Sequence, residues 1–181
     1  MRHSIAAMAK SKPKLRIVPL GGCGEVGKNM TVIELGNDAI IIDTGVMFPA
    51  NDMLGVDYII PDFRYLTERK DLHIHGILYT HGHEDHTGAV AHVVDVLRHI
   101  PLYATPLTAA LLEVKLRDAR LLNETTINVF KPGDDLQVVR TDHAGVVALD
   151  QQARADPLGT VAGMCTLQVA VGWRRDPQTA H

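Results

Sequence analysis

The chain has 181 residues, 46% of them apolar, 22% charged and 4% aromatic, enough for one ordinary globular domain and too short for two large ones. With 18 Lys and Arg against 21 Asp and Glu, the net charge of −3 gives no electrostatic reason to propose a nucleic-acid partner. Cys23 and Cys165 stand far apart without a C-x-x-C pattern, so a disulfide framework is not expected and a reducing cytoplasm is; no run approaches the roughly 18 consecutive apolar residues that a membrane-spanning helix needs.

Residues 1–14 concentrate Arg2, Lys10, Lys12 and Lys14 without a periodic core face, and are expected to form a disordered basic tail. From Leu15 the pattern becomes ordered. Leu15 to Leu20 is β-prone and runs into Gly21-Gly22-Cys23-Gly24-Glu25-Val26-Gly27-Lys28-Asn29, a glycine-rich loop. Met30 to Leu35 and Ala39 to Ile42 read as two strands of a hairpin turning at Gly36-Asn37-Asp38, and the second delivers Asp43 at its end. Pro49 to Leu72 has no sustained period and reads as a long connection with a short helix near Phe63 to Thr67. Gly76 to Thr80 is a strand. Thr87 to Ile100 carries Val90, Val93, Val94 and Leu97 at helical spacing, and Pro101 stops it. Pro101 to Ala104 is a short strand, and Thr105-Pro106 starts a helix marked by Leu107, Leu111, Val114 and Leu121. Thr125 to Phe130 and Leu136 to Arg140 read as a hairpin around Lys131-Pro132-Gly133-Asp134-Asp135. The order is that of an α/β fold, and beyond His143 neither period is sustained.

Ten histidines are present, and their clustering carries the information: His81, His83 and His86 fall within the segment Thr80-His81-Gly82-His83-Glu84-Asp85-His86 at the exit of a strand. Zinc is held by His nitrogen, Cys sulfur and carboxylate oxygen. Spaced two apart on a turn, His81 and His83 can point the same way, while Asp85 and His86, nearer the helix start, can converge on a second point. Two metals about 3.5 to 4 Å apart bring a shared water toward a pKa near 7 and favour hydrolysis without a Ser or Cys nucleophile. Cys23 then reads as a small residue in a glycine-rich loop, and Glu84 as a solvated neighbour.

H-x-H-x-D-H after a hydrophobic strand resembles the signature of the metallo-β-lactamase superfamily. Within it, Leu20 to Asn29, Ile42-Asp43-Thr44-Gly45, Phe48-Pro49 and Leu54-Gly55-Val56-Asp57-Tyr58-Ile59-Ile60-Pro61-Asp62 look like bacterial ribonuclease J, with the resemblance running from about Leu15 to His143. It implies the N-terminal portion of an αββα sandwich, a mixed sheet with helices on its outer face, and a two-zinc enzyme with 5′ to 3′ exonuclease and endonuclease activity on RNA, in the cytoplasm. Residue by residue, it implies that His81 and His83 bind one zinc and Asp85 and His86 the other, with Asp85 and His86 in the catalytic centre. His143 would be a further ligand, and Asp43 would support the metal site from behind a ligand histidine.

The resemblance also marks departures. Ala144-Gly145-Val146-Val147 stands where the family has Ser-Ile-Pro-Asp, and the residues after Val161 include no acid where the family has a bridging Asp. Residues 15–143 are therefore expected to be a partial metallo-β-lactamase domain and 144–181 a poorly matching tail, produced by a shift of reading frame. The domain would be incomplete, with one zinc or none bound and activity lost, and the family's homo-oligomers would form through regions absent here. Two alternatives stand beside the ribonuclease: another hydrolase of the superfamily acting on thioesters or lactones, and an inactive remnant.

Overall fold

The computed structural model describes residues 13–50, 53–131, 134, 136, 138, 147–148, 151–153, 165–167 and 170–171. Its main body is one six-stranded sheet in the order β1-β2-β3-β4-β5-β6. The first three strands, β1 (Leu15–Gly21), β2 (Met30–Leu35) and β3 (Asp38–Ile42), form an antiparallel meander. β4 (His73–Leu78), β5 (Leu102–Ala104) and β6 (Ile127–Val129) then add in parallel to β3. The predicted hairpin is present, with Leu35 opposite Asp38 and Ile33 opposite Ile40.

Parallel neighbours need crossover connections, and the helices supply them. α1 (Arg64–Glu68) lies between β3 and β4, α2 (Glu84–Thr87) and α3 (Val90–Val96) between β4 and β5, and α4 (Pro106–Asp118) between β5 and β6. Their apolar faces meet one side of the sheet: Leu66, Val90, Val93, Val94, Ala109, Leu112 and Leu116 close on Met30, Val32, Ile41, Ile77, Tyr79 and Leu102. Each large aliphatic chain so buried contributes about 1.5 to 3 kcal/mol. On the opposite side Ile40 and Leu78 are buried with Val138, against Ile33, Ile42, Tyr103 and Leu136. The chain is thus an α/β fold with a mixed sheet and helices on one face. Two further two-stranded pairs are described: Val147–Ala148 with Ala170–Val171, and Gln151–Ala153 with Cys165–Leu167.

Three elements differ from the sequence reading. β4 begins at His73 rather than Gly76, because a register shift opposite Ala39 and Ile41 puts both Ile74 and Ile77 on the helix side and hides the period of two. The helix expected from Thr87 to Ile100 is two pieces that start inside the histidine segment at Glu84 and end at Val96, shortly before His99, whose φ of 64° leaves the helical region. On α4 the stripe of Leu107, Leu111 and Val114 is exposed, and the core side is Thr108, Ala109, Leu112 and Leu116.

Candidate metal centre

β3 and β4 run in parallel, so their C-terminal ends open side by side. Open α/β sheets place their sites at this edge. Asp43 follows β3 directly, its amide donating to the Leu78 carbonyl at 2.9 Å, and Thr80 and His81 follow β4. His83 precedes the first turn of α2, which holds Glu84, Asp85 and His86.

Backbone hydrogen bonds fix this turn against two other segments. Thr44 N donates to His86 O at 2.8 Å, Val46 N to Glu84 O at 3.1 Å, and Asn29 N to Asp85 O at 3.0 Å. Gly45 N donates in turn to Asn29 O at 2.9 Å. The approach is close enough to require glycine: a Cβ on Gly45 would stand 1.6 Å from the Asp85 carbonyl oxygen. The phenol of buried Tyr79 shares a 2.8 Å hydrogen bond with Thr44 Oγ1, and burial pushes its pKa up, so it stays neutral and serves as an anchor.

Asp43 is 4% exposed and has a φ of 60°, a left-handed conformation that Asp tolerates better than most residues. The turn aims its carboxylate at β4. Oδ1 accepts the Thr80 amide at 2.8 Å, while Oδ2 accepts the Thr80 hydroxyl at 2.8 Å and faces His86 Nδ1 at 2.8 Å. A carboxylate only accepts, so His86 presents an Nδ1 proton to Asp43, and in the neutral ring Nε2 keeps a lone pair. Thr80 Oγ1, its hydrogen given to Asp43, can accept from His81 Nδ1 at 3.0 Å, leaving the far nitrogen of His81 as a free donor atom.

The three imidazoles gather at this opening. The His81 ring centroid lies 4.5 Å from that of His83 and 4.1 Å from that of His86, and Asp85 Oδ2 lies 3.4 Å from His86 Nε2. Burial, and then the neighbouring His86 and His83, hold the His81 pKa below its ordinary value, which disfavours its charged form. For His86 burial pulls the same way, but the Asp43 hydrogen bond and the charges of Asp43 and Asp85 outweigh it and raise the pKa. Glu84 is half exposed and paired with Lys115.

Three imidazoles and a carboxylate are the donor set of a zinc site, and an acceptor behind a ligand histidine is its usual support. Among the described residues no three His, Cys, Asp or Glu side chains stand close enough together to hold an ion, so these residues fit zinc in the kind of donor they offer. His143 lies outside the described residues, whereas His81, His83, Asp85, His86 and Asp43 share one opening. Sequence reasoning missed Asn29, Thr80 and Gly45. The signal for Asn29 was the glycine-rich run ending in Asn between β1 and β2, which no periodicity explains.

Comparison with known proteins gives the following. A model described as the metallo-beta-lactamase superfamily matches residues 23–165. Ribonuclease J2 of Bacillus subtilis (strain 168) is 46% identical over 108 residues, which are 60% of this chain and 19% of that protein. Ribonuclease J of Helicobacter pylori (strain ATCC 700392 / 26695) is 50% identical over 105 residues, 58% of this chain and 15% of that protein. The chain spans less than a fifth of the length of these two curated relatives. A crystal structure of a protein of unknown function from Enterococcus faecalis V583 superposes with a TM-score of 0.50 at 17% identity, covering 84% of this chain and 40% of that one. Among the described residues no helix is long and apolar enough to cross a membrane.

Proposed function

The chain belongs to the metallo-β-lactamase superfamily, and from that premise we propose that it carries the histidine half of a zinc-dependent RNA hydrolase of the ribonuclease J kind. The observation that carries this reading is the grouping of His81, His83 and His86 at one opening, with His86 Nδ1 held by the buried Asp43 carboxylate. The substrate class follows from the named relatives, both ribonucleases J.

His81 and His83 would hold one zinc ion, and Asp85 and His86 the other, with His143 as a further ligand. Bound zinc supplies a water acidic enough to act as nucleophile near neutral pH and positive charge for the phosphate under attack. The protein's own part is orientation. Asp43 fixes the His86 ring and its tautomer, Thr80 ties Asp43 to His81, and the Asn29, Thr44 and Val46 backbone sets the height of the Asp85-His86 turn. We propose a cytoplasmic setting, and residues 15–143 as the unit that carries the site.

A second reading is favoured by one observation of sequence: Ala162 to Gln168 contains no Asp or Glu, so the carboxylate that would join the two ions is not supplied there. On that reading the chain binds zinc and does not turn over RNA. Release of nucleotides from a 5′-monophosphorylated RNA in the presence of zinc separates the two. The ribonuclease reading expects zinc-dependent release that His83→Ala lowers at least a hundredfold; zinc binding without release favours the second reading.

A further inference from the structure

Glu84 stands between His83 and Asp85 in the histidine segment, and its carboxylate has a partner. Lys115 on α4 donates to Glu84 Oε1. Among the described residues Lys115 is the only Lys or Arg paired with a side chain from Thr80 to His86. Packing brings α4 there: a Cβ on Gly82 would stand 2.6 Å from Leu111 Cδ1, with Thr108 Oγ1 next at 3.7 Å. Thr108, Leu111 and Lys115, spaced at three and four along the helix, thus form one face over the histidine turn.

Folding stability does not account for this pair. The Glu84 side chain is 52% exposed and that of Lys115 23%, and an ion pair so open to water contributes little to folding. Charge at the opening gives it a use. Asp43 and Asp85 face His86, whereas Glu84 lies outside that grouping, so that without Lys115 its charge would stand open at the rim and oppose an approaching polyanion. The chain as a whole offers no compensation, with a net charge of −3, and a phosphate backbone needs a local cation. An ammonium group carries three N–H donors and Glu84 Oε1 engages one, so Lys115 is aimed and still has donors to give.

We infer that Lys115 is a substrate-binding residue: held at the rim by Glu84, its ammonium cancels that carboxylate and takes a backbone phosphate of the RNA other than the one attacked. The identity of the polyanion rests on the ribonuclease reading above. Recognition at this point is of charge and not of base, so Lys115 adds affinity along any sequence and takes no part in choosing among bases.

The probe is a 5′-monophosphorylated RNA with 2′-O-methyl, phosphorothioate linkages, which resists cleavage, and its binding to the full chain is measured with zinc present. Lys115→Ala is expected to weaken binding about 5 to 10-fold and to lower the slope of log affinity against log salt by about 0.7. Lys115→Arg is expected to stay within about twofold of wild type, and Glu84→Gln to bind more tightly. The opposite signs decide. A pair that merely ties α4 to α2 gives weaker binding in both Lys115→Ala and Glu84→Gln, which overturns the inference, as does unchanged binding in Lys115→Ala. Single uncharged methylphosphonate linkages moved along the RNA then locate the contact. The cost of Lys115→Ala is expected to vanish at one linkage; an equal cost at every position marks a diffuse field and overturns the inference. Should Lys115→Ala fail to fold, Lys115→Gln takes its place. No RNA binding by wild type means that the ribonuclease reading has failed and the inference with it, whereas wild-type binding that the variants leave unchanged overturns the inference alone.

Discussion

Among the described residues two carboxylates are buried, and they are neutralised in opposite ways. Glu34, on β2, is 0% exposed and lies among cations: Arg16 Nε donates to it at 2.8 Å, Arg69 Nη1 stands 3.7 Å away, and the Tyr65 hydroxyl donates from α1. Asp43, 4% exposed, is met by neutral donors, the Thr80 amide and hydroxyl, and by His86. Among the described residues no Arg or Lys pairs with Asp43. A buried charge that already has its counter-charges belongs to the architecture, here tying β1 and α1 to β2. One held by neutral groups and an imidazole is poised to balance a positive charge that arrives from outside.

The comparison breaks if the two acids respond alike to removal. Glu34→Ala removes the acceptor shared by Arg16, Arg69 and Tyr65, and because Arg16 is half exposed the expected loss is about 1 to 3 kcal/mol of folding stability in urea denaturation; a loss under about 0.5 kcal/mol would mean the network is ornamental. Asp43→Asn keeps the shape and the hydrogen bond from the Thr80 amide, so folding stability changes less than with Glu34→Ala. Its cost is expected in zinc affinity, lower by about 10 to 100-fold as for other groups that orient a ligand histidine. Equal zinc affinity in Asp43→Asn and wild type, by competition with a chelator, would place Asp43 beside Glu34 as a structural acid.

Much of this was legible in the sequence where one residue pattern meets one neighbour. β2 and β3 were readable because their apolar residues are contiguous and a turn separates them, and the grouping of His81, His83, Asp85 and His86 follows from local spacing alone. α4 shows the limit. Leu107, Leu111 and Val114 make the better stripe of large residues, yet Thr108, Ala109, Leu112 and Leu116 face the core, because a small residue close to the sheet packs well without announcing itself as hydrophobic. The contacts that define the site's back wall were equally hidden. Asn29 and Asp85 are 56 positions apart, and their meeting depends on the segment after β3, where Gly45 leaves room for both. His143 remains a sequence expectation.

The most direct test of the central claim, that the opening at the ends of β3 and β4 is a zinc centre, is a zinc titration of the full chain with His83→Ala alongside. Zinc bound by wild type and one ion fewer bound by His83→Ala is the result expected; no binding, or the same stoichiometry in both proteins, would contradict it.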